Sequence, residues 1–295
     1  MLLSGIRVFV AGGDARHLVV ISRLLERDAQ VDLVGYDNLK PPPPGATHVP
    51  FTPERLTRYD AVLLPVKGLG EGGEAETVFS SEAPVFTEAH LEALAGATLY
   101  SGISTPFLTR AAERHGLRVV TLLDRDDVAI LNAIPTAEGA LLLAIQNSEI
   151  TLHGSTSVVI GLGRVGMTLA RVLLGIGARV RAVVREARDY ARAYEMGIEP
   201  YYVRDIGKAL RGADFVFNTA PAPVLTAEVL LELKPDAFVL DLASAPGGTD
   251  FCFAEKRGIR AMLAPSLPGL VAPRTAGEIL ADALVRLLWE NHIAR

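Results

Sequence analysis

Cysteine is almost absent from this chain of 295 residues: Cys252 is the only one, so no internal disulfide can form. No paired cysteines or histidines stand at the spacing a zinc site needs, so no metal is expected. A strong charge of one sign is missing too. The 29 basic residues are interspersed with 34 acidic ones for a formal charge of −5 and a pI near 5.7, which offers no basic stripe to a nucleic-acid backbone. The longest uninterrupted apolar runs are strand-sized, short of the roughly 20 residues a membrane span requires. The opening segment, MLLSGIRVFVAGGD, enters a strand pattern directly, with no charged leader and no small-residue cleavage site. These absences predict a protein of the reducing cytoplasm with neither a membrane nor a nucleic acid as partner. Hydrolase and kinase chemistry lose support as well, because there is no Ser-His-Asp arrangement with an identifiable elbow and no P-loop.

What the chain does have is hydrophobic material. Nearly half of it, 49%, is hydrophobic and 21% is charged, with a mean hydropathy of +0.29. That suits buried parallel strands in two domains. Short apolar runs fall at residues 6–11, 31–36, 61–65, 98–101 and 119–123, with a Gly12-Gly13 turn after the first and a helical pattern at 106–115. A second series falls at 157–160, 179–184, 200–203, 215–218, 238–242 and 261–263. The alternation predicts an α/β fold of two Rossmann-like open parallel sheets. The expected divisions are a first domain at 1–130, a linking helix and hinge at 131–152 that includes a helix over 135–146 with Pro135 in its first turn, and a nucleotide-binding domain at 153–275. A final helix at 276–295 either packs locally or crosses back to the first domain. The four prolines between Lys40 and Gly45 read as a rigid surface loop.

The second half carries the sharper chemistry. Gly161-Leu162-Gly163-Arg164-Val165-Gly166 follows a β-branched strand and opens a helix, the context a dinucleotide fingerprint requires. Gly161 allows the tight turn, Gly163 lets the backbone approach a pyrophosphate, and Gly166 lets the helix lie against the strand. About 20 residues on, an NAD site normally places an acid on the ribose. This chain has Arg185 there, which favours NADP over NAD through a 2′-phosphate, unless Arg185 is simply solvated. Thr219, Ala220 and Pro221 end the fourth strand of this half. Asp241 and Ser244 lie at the end of the fifth, so both segments reach the carboxyl edge where ligands bind. Asp241 reads equally as a cap for its turn.

Taken together, several blocks resemble the A subunits of dipicolinate synthase from endospore-forming bacteria. They are Gly12-Gly13-Asp14-Ala15-Arg16, Ser101-Gly102-Ile103-Ser104, Arg125-Asp126-Asp127-Val128-Ala129-Ile130 and Ile134-Pro135-Thr136-Ala137-Glu138-Gly139, followed by the glycine fingerprint, the stretch from Asp241 through Gly247-Gly248-Thr249 to Phe251, and Leu267 to Gly277. The resemblance implies NADP-linked oxidation of dihydrodipicolinate, or of its hydrated 4-hydroxy-tetrahydro precursor, to pyridine-2,6-dicarboxylate in the mother cell of a sporulating bacterium. It also implies, as partner, a flavoprotein-like B subunit, within a homo- or hetero-oligomer. For the two substrate carboxylates the residue chemistry points to Arg16 and Arg274, assisted by Ser101, Ser104 and the backbone of Gly247, Gly248 and Thr249. Arg16 reads alternatively as half of a structural salt bridge. The proton acceptor is sought among His153, Asp127 and Glu138, with Asp126 a further carboxylate and His17 ranked below His153. A related oxidoreductase for another small acid, or a nucleotide-binding regulatory subunit, is the competing reading.

Overall fold

The computed structural model describes residues 1–39 and 41–293, so Lys40, at the start of the proline run, lies outside the described residues. Two units divide the chain at positions 129/130 and 272/273.

Unit 1 comprises Met1–Ala129 and Pro273–Arg295. It is built on β1 (Arg7–Ala11), α1 (Ala15–Leu25), β2 (Gln30–Val34), β3 (Thr47–His48), β4 (Ala61–Leu63), β5 (Thr98–Ser101) and β6 (Arg118–Thr121). From it runs α2 (Asp126–Gln146) into unit 2, Ile130–Ala272. There follow β7 (Thr156–Ile160), α3 (Arg164–Gly175), β8 (Arg179–Val184), α4 (Ala187–Glu195), β9 (Glu199–Tyr202), β10 (Phe215–Asn218), β11 (Phe238–Asp241), β12 (Arg260–Leu263) and, back in unit 1, α5 (Pro273–Ile293).

The two sheets share one plan. Their orders are β3-β2-β1-β4-β5-β6 and β12-β11-β10-β7-β8-β9, every paired strand parallel. Each is the doubly wound arrangement, whose ligand crevice opens at the carboxyl ends of the two strands where the order reverses. In unit 2 those are β7 and β10. The central strands β4, β5, β7, β10 and β11 are buried at every position, while β6, β9 and β12 are only partly covered. Alternation along each strand feeds a core on either face. Phe215 and Phe217 join one core of unit 2 and Val216 the other.

One expectation needs correcting, and one open alternative is decided. The linking helix starts at Asp126, not at Pro135, which sits inside it. Proline is tolerated there at the loss of one helix hydrogen bond. That helix is also long and apolar enough, by length and composition alone, to span a membrane. Its Ala137, Ala140 and Ala144 are fully buried in a core of unit 2, whereas its Ile130, Leu131, Ile134, Leu142 and Ile145 are exposed. The final helix belongs to unit 1. It lies tightly on α1, since a Cβ on Gly277 would stand 2.8 Å from the Arg16 carbonyl oxygen, and its Leu280, Ala281, Leu284 and Leu288 enter the unit 1 core.

Candidate functional site

Three glycines after β7 do three different jobs. Gly161 has φ +88°, and its carbonyl lies so close that a Cβ on Gly166 would clash with it outright, so Gly166 is required by the packing of α3 on β7. Gly163 is different. It precedes α3 with no side chain capping the helix, and a Cβ there would meet nothing within 4 Å. Among the described residues nothing needs glycine at that place, and the helix start beside it is open. Leu162 is buried and Arg164 exposed, with Val165 between those extremes. Thr219, just past β10, donates its hydroxyl to the Ile160 carbonyl at 2.8 Å and so fixes the turn from the other side.

At the end of β8 the position of the usual ribose acid is held by Arg185, exposed and without an ion pair or side-chain hydrogen bond among the described residues. Beyond β10 and β11 the carboxyl edge is finished by two loops. Pro221 and Ser244 are exposed there and Ala220 partly so. Asp241 is not. It is completely buried, and its carboxylate accepts from Asn218 Nδ2 at 3.0 Å, Ala243 N at 3.1 Å, Gly248 N at 2.8 Å and Thr249 Oγ1 at 2.7 Å. The capping alternative therefore describes Asp241, and direct contact with a cofactor does not. The same bonds take up the Gly248 amide and the Thr249 hydroxyl, and the Gly247 amide donates to Ser244 O at 2.9 Å. The Gly247 and Gly248 amides are therefore spent inside the fold, and Thr249 has only its backbone N–H left for a substrate carboxylate.

Several other expected contacts are likewise spent inside the fold. Arg16 is buried and grips the chain's own Asp14, with Nε and Nη2 on the carboxylate at 3.0 and 2.6 Å. Burial alone would raise the Asp14 carboxyl, but the adjoining His17 and Arg16 outweigh it and hold it well below the usual carboxylate range. His17 Nδ1 accepts from Asp14 N at 3.2 Å while Nε2 faces Leu64 O at 3.1 Å. Both ring nitrogens are thus engaged inside the fold, and neither is left for a substrate. Ser101 is buried and donates to Ile103 O at 2.7 Å. Ser104 is exposed beside Thr109, and Arg274 is exposed in the first turn of α5, paired with Glu278.

Of the proton acceptors, His153 is misplaced. It precedes β7, its Nδ1 2.9 Å from Ile176 O in the turn before β8. It thus lies at the amino edge of the sheet, about 15 Å of strand away from the glycine turn. Asp127 is engaged by Arg125 and Arg286. Glu138 is exposed on α2 with no ion pair among the described residues. Its neighbour Gly139 lies against Leu267 and Val271, which follow the carboxyl end of β12. Asn218, expected with Thr219 to Pro221 beside the nicotinamide, instead links both loops through its side chain. The only signal for that link was its place at the end of a strand.

Known proteins resemble this chain in sequence and in fold. Residues 7–123 match the family model for the N-terminal domain of the dipicolinate synthase A subunit, and residues 140–246 match the D-isomer specific 2-hydroxyacid dehydrogenase, NAD binding domain. The dipicolinate synthase A subunit of Bacillus subtilis is 43% identical over 290 residues, 98% of either chain. This chain belongs to the family of dipicolinate synthase A subunits. The crystal structure of the family member from Bacillus halodurans matches with a TM-score of 0.95 at 47% identity, covering 98% of this chain and 99% of that one. An apo D-lactate dehydrogenase from Escherichia coli gives 0.65 at 15% identity, 96% of each chain being covered, a likeness of fold. Within the A-subunit family, unit 2 is the nicotinamide-binding part of an NAD(P)-dependent oxidoreductase.

Proposed function

We propose that this chain is the NADP-linked subunit that oxidises dihydrodipicolinate, or its hydrated 4-hydroxy-tetrahydro precursor, to pyridine-2,6-dicarboxylate in spore formation, acting with a flavoprotein-like B subunit. The observation that carries this reading is the 43% identity, across both units, to the A chain of a dipicolinate synthase.

Gly163 and the first-turn amides of α3 would hold the pyrophosphate, Arg185 the 2′-phosphate, and Thr219, Ala220, Pro221 and Ser244 would line the nicotinamide end. The oxidised nicotinamide, when bound, supplies the hydride acceptor. To become aromatic the dihydropyridine also gives up one proton, and the hydrated precursor in addition one water. Receiving that proton is the protein's share, and Glu138 is the carboxylate left free to do it. Arg274 and Ser104, both exposed, remain the side chains able to meet a substrate carboxylate.

The test combines purified chain, NADP and freshly generated dihydrodipicolinate, with and without the B subunit, and measures dipicolinate and NADPH together. Equal amounts of both are expected, with Glu138→Gln reducing the rate and His153→Ala leaving it near wild type. Dipicolinate without NADPH would move the redox step to flavin or oxygen and leave this chain a binding subunit. Oxidation of a different acid would overturn the substrate.

A further inference from the structure

A buried carboxylate normally sits beside a cation, and Asp241 does not. It has no solvent exposure, and among the described residues no lysine, arginine or histidine pairs with it. Its charge is balanced by four neutral donors, two on each oxygen: Asn218 and Ala243 N on Oδ1, Gly248 N and Thr249 on Oδ2. With two donors on each oxygen, an amide of the same shape would set its NH2 against one of the backbone N–H groups.

The donors come from two separate loops. Asn218 ends β10 and holds the following turn from both sides, its Oδ1 accepting from Ala220 N at 3.0 Å and its Nδ2 donating to Ala220 O at 3.1 Å. Gly248 and Thr249 belong to the loop after β11. That loop approaches so closely that a Cβ on Gly247 would stand 2.9 Å from Asp241 Oδ2, and one on Gly248 2.7 Å from Asn218 Nδ2. It is then stitched to the first loop by Val224 N and Leu225 N, both donating to Gly248 O. From Asn218 the chain of contacts continues through Thr219 to the carbonyls of Ile160 and Gly161, which begin the glycine turn.

We propose that Asp241 is a positioning residue of the dinucleotide edge: by fixing Asn218 and the 243–249 loop to one another, it holds Thr219 to Pro221 and the glycine turn in the shape that receives the cofactor, without touching the cofactor itself. The proposal rests on the dinucleotide reading of unit 2. Asp241→Asn is the decisive change. Either orientation of the new amide points an NH2 at a backbone N–H, that of Ala243 or of Gly248, so one side of the link opens with the volume unchanged.

The experiment titrates wild type and Asp241→Asn with NADPH and NADH by fluorescence, with near-ultraviolet circular dichroism recorded alongside. A native spectrum with the dissociation constant raised about tenfold or more for both nucleotides is expected. An equal loss for both separates this role from a 2′-phosphate contact. Thr249→Val, which removes one donor, should weaken binding about threefold, and Thr249→Ser should restore it; this pair decides the matter if Asp241→Asn does not fold. A folded Asp241→Asn, or Thr249→Val, that binds as tightly as wild type overturns the proposal alone. Wild type that binds neither nucleotide overturns the dinucleotide reading, and the proposal with it.

Discussion

Replacing Asp14 with asparagine removes one charge from the first βα turn while keeping a side chain able to cap α1. The Arg16 side chain is 6% exposed and that of Asp14 35%. Breaking a fully buried pair costs about 3 to 5 kcal/mol, because the remaining charge has no partner. With Asp14 one-third open to solvent we expect about 2.5 kcal/mol at pH 7. The pH dependence follows from the lowered Asp14 pKa. A carboxyl whose folded pKa is depressed contributes stability above its unfolded value, here 3.8, and loses it as the pH falls from there toward the folded value. Each pH unit in that window removes up to about 1.4 kcal/mol from wild type but nothing from Asp14→Asn. The gap should therefore shrink to about 1 kcal/mol by pH 2.5. Urea unfolding followed by tryptophan fluorescence reads this directly, since the only tryptophan, Trp289, lies in α5 of unit 1. A gap under about 0.5 kcal/mol at pH 7, or one that stays constant down to pH 2.5, would refute the argument.

The glycine turn offers a paired test. Gly163→Val should fold like wild type and lose dinucleotide binding, whereas Gly166→Ala should lower the melting temperature, because its Cβ collides with the Gly161 carbonyl; calorimetry and nucleotide titration distinguish the two. Arg185→Ala should weaken NADP binding by about 10- to 100-fold, the value of a charge-assisted phosphate contact, and change NAD binding less than twofold. Equal loss for both nucleotides would remove the 2′-phosphate role.

The strand pattern was legible because the central strands are parallel and buried along their length, so apolar runs and strands coincide. β10 spans Phe215–Asn218 as expected, and β7 and β11 differ from expectation by one residue. The two-residue β3 carries no such signal, since both its residues are exposed. Pro135 misled for a physical reason: a proline marks a helix start only if the preceding turn cannot form, and here Asp126 and Asp127 supply a favourable first turn nine residues earlier. Site residues were harder. Sequence shows that Arg16, Ser101 and the Gly248 amide have the chemistry to bind a carboxylate, but not that Asp14, the Ile103 carbonyl and Asp241 already occupy them. Those partners are set by loop geometry, to which periodicity is blind. His153 failed on a simpler point. It precedes its strand, and in a parallel sheet only residues that follow a strand reach the ligand edge.

The two sheets have one strand order, and each first strand runs into a glycine-containing turn and a helix, yet the turns treat anions oppositely. In unit 1 a Cβ on Gly13 would meet the His17 ring at 2.4 Å and one on Gly12 the Glu76 carbonyl oxygen at 2.6 Å, so the turn is full. The helix start behind it is capped by a carboxylate of the chain, Asp14 accepting from Arg16 N at 3.0 Å. In unit 2 the corresponding Gly163 faces open space and α3 has no side-chain cap. A helix start favours one anion. The first has been given a permanent one, and the second has no side-chain cap among the described residues. One dinucleotide per chain is therefore the expected stoichiometry, despite two Rossmann sheets. Titration calorimetry that fitted two equal sites would show that Asp14 does not close the first turn.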